Sequence, residues 1–495
     1  MEATRVALDS RFAIGAVDPR IFGGFLEHLG RVVYGGVFDP DSRRADAGGL
    51  RTDVREALGR LDMTVMRYPG GNFASGYHWT DGVGRREARP VMRDLAWQSI
   101  EPNAFGTDEF LTLCGKMGWQ PMLTVNLGTG SPEEARSWVE YTNLPVGTRW
   151  ADLRAEGGRI EPWGVKLWCL GNEMDGPWQL GHVPAAEYAV RAQQAAKLMK
   201  DCDPSIETVV CGSCTPDIPT YLDWDRQVLE YIGDGADYVS LHRYVGNRDG
   251  DTPDYLAVPN SVDRQIEDMD AACRFVQGRR RSPRRPYLCF DEWNVWYREL
   301  AGDGRGQRAP HLLEEHYNLE DAVVVAGILA SFVRHADVVR IANLAQVVNA
   351  IAPILTDGDR MLIQSIFHPF AMFSKRRAGV SLRVAVDGPS YRGRTNGEAA
   401  VVDASAILGP GVLHVFLANR SDSQAAAVSI EPADLRLSGL ASAEILTGPG
   451  AKSENTWAEP DLLAARPLAD VRVREGAARL ELPPLSVAAA SLRLA

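Results

Sequence analysis

A chain of 495 residues, 45% hydrophobic and 24% charged, buries a large core and divides into one large unit and a smaller one, which excludes disorder as its native state. Its formal net charge of −12 repels nucleic acid and anionic membrane surfaces alike, so neither is expected as a partner and a neutral substrate fits better. The amino-terminal stretch mixes Glu2, Arg5, Asp9 and Arg11 into its apolar residues, unlike a signal peptide or a membrane span, and the 7 cysteines form no disulfide framework; both features point to the reducing cytoplasm.

The opening segment, Thr4 to Ile14, reads as a strand. From Ile21 to about Lys375 short apolar runs alternate with amphipathic stretches, the pattern of a parallel α/β sheet. The runs predict strands at Phe22 to Leu26, Val65 to Tyr68, Pro121 to Val125, Val165 to Leu170, Thr208 to Cys211, Tyr238 to Leu241, Tyr287 to Phe290 and Val338 to Leu344. Helical patterns lie between them at Leu50 to Leu61, Asp108 to Met117, Pro132 to Tyr141, Ala185 to Lys200, Thr220 to Ile232, Val262 to Gln277 and Leu319 to Phe332. Ser131-Pro132-Glu133-Glu134 supplies an N-cap, a first-turn proline and two acids at the positive end of a helix dipole.

Eight strand–helix units with polar residues after nearly every strand predict a closed (β/α)8 TIM barrel over residues 17–375; an open doubly wound sheet gives no reason for such a ring. That span exceeds the usual ~250 residues by about a hundred. The surplus falls in Phe73 to Gly106, Gly246 to Ser261 and Tyr297 to Asn318, insertions expected to wall in a pocket over the carboxyl-end face. Beyond Lys375 the alternation becomes apolar–polar, broken by glycine and proline, at Val380 to Val386, Ala399 to Asp403, Gly411 to Asn419, Ala425 to Ile430, Ser442 to Leu446, Ala478 to Leu482 and Ala488 to Leu494. This predicts a jelly-roll-like antiparallel β-sandwich built from residues 376–495 together with the amino-terminal strand in 1–16.

Two glutamates follow strand-like runs: Val165 to Leu170 leads into Gly171-Asn172-Glu173, and Tyr287 to Phe290 into Asp291-Glu292-Trp293-Asn294. After the fourth and seventh strands of one barrel, both reach the carboxyl-end face. Cleaving an acetal requires an acid to protonate the leaving oxygen and a carboxylate to take the cationic carbon, which two facing carboxyls supply. A lone glutamate in a loop is more often a solvated residue or a helix cap; a pair on one ring is harder to explain that way. The local context favours Glu292 as the ionised partner and Glu173, beside apolar Met174, as the protonated one.

Other residues join them on the same rim. Arg67 ends the second strand in Met66-Arg67-Tyr68-Pro69-Gly70-Gly71-Asn72, suited to forking onto a carboxylate and equally to a structural ion pair inside the barrel. Gly70 and Gly71 allow close backbone approach and present Asn72. Glu27 and His28, His242 and Tyr244, and Gln346 and Asn349 follow the first, sixth and eighth strands and match the hydrogen-bonding pattern of sugar hydroxyls, although singly each reads as a satisfied structural residue. Trp97, Trp178, Trp293 and Trp296 offer faces for a sugar or for core packing, Trp178 foremost because its loop follows the candidate acid. No cofactor or metal set is expected: Cys211 and Cys214 form an isolated C-x-x-C, and the glycine-rich Gly302 to Gly306 segment joins no strand to a helix.

The motifs Phe22-Gly23-Gly24-Phe25-Leu26-Glu27-His28, Arg67 to Asn72, Gly171-Asn172-Glu173-Met174-Asp175-Gly176-Pro177-Trp178 and Asp291-Glu292-Trp293-Asn294-Val295-Trp296-Tyr297 resemble, in order and through the whole length, those of glycoside hydrolase family 51 α-L-arabinofuranosidases. The resemblance implies a retaining, exo-acting enzyme acting on arabinose-containing oligosaccharides, with Glu173 as acid/base and Glu292 as nucleophile. It further implies that Asn172 binds the sugar 2-hydroxyl, that Arg67 and Tyr244 contact the nucleophile, that Glu27, Asn72 and Gln346 hold the remaining arabinose oxygens, and that His242 supports them. Cofactor-free homo-oligomers, commonly hexamers, go with the family. Two rival readings stay open on the residues alone: an endo-acting glucanase or xylanase on the same barrel, and a carbohydrate-binding protein without turnover.

Overall fold

The computed structural model describes residues 4–299 and 304–495; residues 1–3 and the Gly302-Asp303 part of the glycine-rich segment lie outside them. The chain begins with β1 (Thr4–Ala16), which takes no part in the barrel. Eight parallel strands then close on themselves in chain order: β2 (Gly23–Phe25), β3 (Val65–Tyr68), β4 (Gln120–Val125), β5 (Leu167–Leu170), β6 (Glu207–Cys211), β7 (Tyr238–Val245), β8 (Tyr287–Val295) and β9 (Val339–Ala345). Every residue of β3 and β5 is buried, as a strand covered on both faces requires.

The seven expected helices form, and Ser131 caps Pro132–Asn143 by accepting the Glu134 N–H at 3.1 Å. Three more appear at Arg149–Glu156, Thr252–Leu256 and Phe367–Ser374. The last is buried at every position, so no polar face marks its period in the sequence.

Two strands run further than the sequence suggests. β7 continues past Leu241 and β8 past Phe290, so His242, Tyr244, Glu292 and Asn294 lie within strands, not after them. These polar residues face a polar upper interior, and polarity there imitates a strand end. Below them Val65, Met122, Leu167, Cys169, Val209, Tyr238, Cys289 and Ile341 fill the barrel with a dry floor contributed by seven of its strands.

Apart from three short two-stranded hairpins, the other described strands join β1 in one ten-stranded ladder. They are β10 (Val380–Asp387), β11 (Val402–Gly409), β12 (Val412–Asn419), β13 (Ala426–Pro432), β14 (Leu437–Leu446), β15 (Arg466–Pro467), β16 (Arg472–Arg474), β17 (Ala477–Leu482) and β18 (Ser486–Leu494), ordered β15-β14-β18-β12-β11-β10-β1-β13-β17-β16. β14 and β16, near opposite ends of that order, touch, so the sheet folds over its own core of Val6, Leu8, Leu382, Val415, Val428, Leu480 and Leu492 as a sandwich does. β1 sits mid-ladder, antiparallel to β10 and parallel to β13. The strand expected at Ala399 to Asp403 is divided: Gly397–Ala400 pairs with Ser390–Gly393 in a separate hairpin, and β11 starts at Val402.

The helix Leu319–Arg334, buried from Leu319 to Val333, lies between barrel and sheet, and its middle, residues 322–330, is apolar on every face for that reason. Arg334 at its end bridges Asp263 (2.9 Å) and Asp403 of β11 (3.0 Å). Nearby, Phe373 stacks on Phe416 of β12 with ring centroids 4.0 Å apart. Among the described residues no helix is long and apolar enough to cross a membrane. Truncating this stacked contact in Phe373→Ala is expected to lower stability by ~3–5 kcal/mol, read as an earlier urea unfolding midpoint; an unchanged midpoint would show that the two units do not stabilise one another here.

Candidate active site

Arg67 points inward from β3 directly above the dry floor, with 0% of its surface exposed. Its Nη1 donates to Glu292 Oε1 at 2.6 Å, its Nη2 donates to Asn172 Oδ1 at 2.7 Å and lies 3.2 Å from Asp291 Oδ2, and the guanidinium packs on the Phe25 ring. Asp291 and Glu292 are consecutive in a strand, where side chains normally alternate between faces. The pairing register of β8 shifts between Cys289 and Glu292 on one side and between Phe290 and Trp293 on the other. This bulge turns both acids onto Arg67 and returns Trp293 to the outside, where it meets Phe332 edge-on.

Glu173 follows β5 in a left-handed backbone conformation, φ 42°, which is strained for a residue with a side chain. Its Oε1 faces His242 Nδ1 at 2.9 Å, and its Oε2 accepts from the Trp178 indole at 2.5 Å. Tyr244 donates to Glu292 Oε2 at 2.8 Å. One carboxylate oxygen each of Glu173 and Glu292 and one ring nitrogen of His242 lie within 4.8 Å of one another.

Opposite them, Glu27 accepts from the Phe73 backbone N–H (3.0 Å), Trp97 Nε1 (3.2 Å) and Gln346 Nε2 (3.2 Å). A Cβ on Gly71 would stand 2.6 Å from Glu27 Oε2, so glycine is what lets the turn close around this carboxylate. These groups line a pocket of about 440 Å³ whose wall includes Glu27, Asn72, Trp97, Glu173, Trp178, Tyr244, Glu292, Trp296 and Gln346.

The sequence matches the family description α-L-arabinofuranosidase 1 domain over residues 57–256 and α-L-arabinofuranosidase C-terminal domain over 291–486. It is 43% identical over 494 residues to an intracellular exo-α-(1→5)-L-arabinofuranosidase of Streptomyces lividans, covering 98% of this chain and 75% of that one. With an enzyme of the same description from Bacillus subtilis it shares 44% identity, covering 86% of each. A solved family 51 α-L-arabinofuranosidase from Bifidobacterium longum superimposes with a TM-score of 0.95 at 34% identity over 100% of both chains. The chain belongs to the family 51 α-L-arabinofuranosidases.

In this arabinofuranosidase-family site some rim residues expected from the sequence are not in the pocket wall. Trp293 is core. His28 is buried against Glu101 and Tyr68, and Asn349 binds the Arg31 carbonyl and Thr356. Arg67, Asn172 and His242 stand behind the wall and act on it through the groups they touch. Of the three insertions, Phe73 to Gly106 contributes Trp97 and Tyr297 to Asn318 contributes Leu313, whereas Gly246 to Ser261 lines a separate cavity. Residues to which sequence reading gives no role in the site are Asp291, Ser240, Gln179 and Cys214; Asp291 carried a signal in its place beside Glu292, and Cys214, noted only as half of an isolated C-x-x-C, lines the pocket.

Burial and the Glu292 charge raise the Glu27 carboxyl to about 8, against hydrogen bonds that lower it. Burial also pushes Glu173 up, but the His242 hydrogen bond and charge and the Trp178 hydrogen bond outweigh it and leave the group below the ordinary range. The apolar neighbour Met174 therefore does not keep Glu173 protonated in the free site. Burial opposes charge on Asp291 too, and Arg67 and His242 bring it to about 2.

Because the folded Glu27 pKa lies above its unfolded value, the stability it contributes is fully present below about 4.5 and is lost as pH rises through about 8. Glu27→Gln, which cannot ionise, is expected to gain on the order of a few kcal/mol relative to wild type between pH 5 and pH 8.5. The check is the difference in apparent melting temperature across that range; a constant difference contradicts the raised pKa.

Proposed function

We propose that the chain removes terminal non-reducing α-L-arabinofuranosyl residues from arabinan, arabinoxylan or their oligosaccharides with retention of configuration, Glu292 acting as nucleophile and Glu173 as acid/base. The observation that carries the retaining reading is the approach of their carboxylate oxygens to within 4.8 Å. Direct attack needs carboxyls about 5–5.5 Å apart, whereas an inverting pair stands ~6.5–9.5 Å apart to admit a water. Arg67 and Tyr244 hold one oxygen each of Glu292 and aim it.

Glu292 attacks the anomeric carbon as Glu173 protonates the departing oxygen, giving a covalent arabinosyl-enzyme; Glu173 then deprotonates the water that releases the sugar. Glu27, Asn72 and Gln346 meet the sugar oxygens from the wall. Asn172, whose Oδ1 is taken by Arg67 and whose Nδ2 faces Asn72 Oδ1 at 3.5 Å and Gln179 Oε1 at 3.3 Å, acts on the 2-hydroxyl by holding Asn72 in the wall or by releasing that amide to the bound sugar. Trp97, Trp178 and Trp296 enclose a volume suited to one end sugar, which supports exo action over an endo-acting groove. The (1→5) linkage in the relatives' descriptions makes α-(1→5) arabino-oligosaccharides the first substrates to try.

The barrel spans 17–375 and the sandwich 1–16 with 376–495 in this reading, and no cofactor takes part. A cytoplasmic homo-oligomer, a hexamer by family resemblance, completes it; the seven free thiols suit that compartment and so does the word intracellular in the relatives' descriptions.

Glu173→Ala is expected to cut kcat/KM on poor leaving groups by ~10²–10⁴ and to be rescued by azide, with the α-arabinosyl azide identified by NMR because two inversions restore the starting configuration. A β-azide, or no rescue, overturns the assignment. Glu292→Ala is expected to abolish hydrolysis of arabino-oligosaccharides; retained turnover would exclude it as nucleophile.

A further inference from the structure

Asp291 is a buried carboxylate outside the pocket wall, yet three polar groups converge on it: Arg67 Nη2 at 3.2 Å, His242 Nε2 at 3.3 Å and the Ser240 hydroxyl. The imidazole it faces is 2% exposed. The other ring nitrogen, Nδ1, lies 2.9 Å from Glu173 Oε1 and 3.5 Å from Glu292 Oε2. One ring thus joins three carboxylates, two from β8 and one from the loop after β5. Around this cluster stand the Cys169 thiol on β5, which faces Asp291, the Tyr244 hydroxyl on Glu292, and Glu27, which feels the Glu292 charge.

A neutral imidazole has one N–H and satisfies only one of the carboxylates at its two ends; an imidazolium serves both, with Nε2–H shared between Asp291 Oδ1 and the Ser240 oxygen, each at 3.3 Å, and Nδ1–H at Glu173. We infer that Asp291 and His242 are positioning residues that store, behind Glu173, the proton that Glu173 delivers; the inference rests on Glu173 being the acid/base. Burial works against the imidazolium, and the Glu292 and Asp291 charges outweigh it, holding the ring well above its ordinary pKa.

The same geometry couples the proton to the nucleophile. While Glu292 is an anion, its charge beside Nδ1 keeps the proton on the ring. As Glu292 bonds to the anomeric carbon that charge disappears, and the ring's hold weakens. The Nδ1–H bond breaks as an O–H bond forms on Glu173, and Glu173 passes this proton to the glycosidic oxygen as the C–O bond breaks. The ring is left neutral, and Asp291 stays ionised against Arg67. In the second half Glu173 takes a proton from water while the water oxygen bonds to the anomeric carbon. Glu292 leaves with its electron pair and its charge, and the proton returns to Nδ1. One proton departs with the leaving group and one arrives from water.

The test compares a 2,4-dinitrophenyl α-L-arabinofuranoside, whose leaving group departs without acid, with the phenyl glycoside, whose leaving group needs it. Asp291→Asn is expected to lower kcat/KM on the phenyl glycoside ~10²-fold or more and on the dinitrophenyl glycoside about threefold or less, and to move the alkaline limb of the pH profile to lower pH. His242→Gln, which leaves the Asp291–Arg67 pair in place, is expected to give the same split, so misfolding of one variant does not decide the matter. In ¹⁵N NMR of wild type the His242 nitrogens should both carry protons at pH 8.

Equal losses on both glycosides with an unmoved alkaline limb, or a neutral His242 at pH 8, overturn the inference. Glu173→Gln is the reference: absence of leaving-group dependence there refutes the acid/base reading itself. A split in Glu173→Gln but in neither of the other variants refutes only the proton store.

Discussion

Arg67 has none of its surface in water, and a bare cation there would cost several kcal/mol even after the surroundings relax. Its compensation comes from Glu292 and Asp291 on β8 and from the Asn172 amide after β5. Meeting that requirement shapes the backbone around it. Two acids adjacent in a strand face the same cation only if the strand bulges, and the bulge that allows this also sends Trp293 outward into the packing against Phe332. Beneath the cation the barrel is closed by apolar residues, so water does not screen the pair from below. The electrostatics of the pocket rim are thus set one layer down, by residues that are not in its wall.

Much of this organisation was legible in the sequence because it repeats simple periods. The eight apolar runs and the helical patterns between them require nothing beyond burial and hydrogen-bond geometry, and each barrel strand appears where its run lies. Glu173, Glu292, Glu27, Asn72, Tyr244 and Gln346 were visible as polar residues at strand ends and do meet in one pocket. What escapes is whatever depends on register. The extension of β7 and β8 is hidden because inward-facing polar residues look like a loop, and the bulge has no compositional mark. Asp291 looks like a companion of Glu292, and only the shifted register shows it facing Arg67 and His242. His28 and Trp293 show the converse error: residue types suited to sugar binding are equally suited to a satisfied core.

Glu173 and Glu292 differ in how they are held. Glu292 sits in a strand with an arginine and a tyrosine fixed on its two oxygens, which suits the nucleophile proposed above, a group that has to approach carbon along one line. Glu173 sits on a strained loop residue, held by buried His242 on one oxygen and by Trp178, 54% exposed, on the other. A strand fixes one acid from beneath, and a loop presents the other beside solvent.

The place of β1 in the sheet has a consequence for how the molecule is made. Its two neighbours, β10 and β13, lie roughly 360 residues or more further along the chain, so at ~5–20 residues per second the strand emerges tens of seconds before either exists. Throughout that interval an apolar edge is unpaired on the nascent polypeptide while the barrel assembles. Synthesis of the last quarter of the chain is therefore what ends the exposure, and a ribosome stalled before β10 would release a chain with an open edge ready to pair with a neighbour.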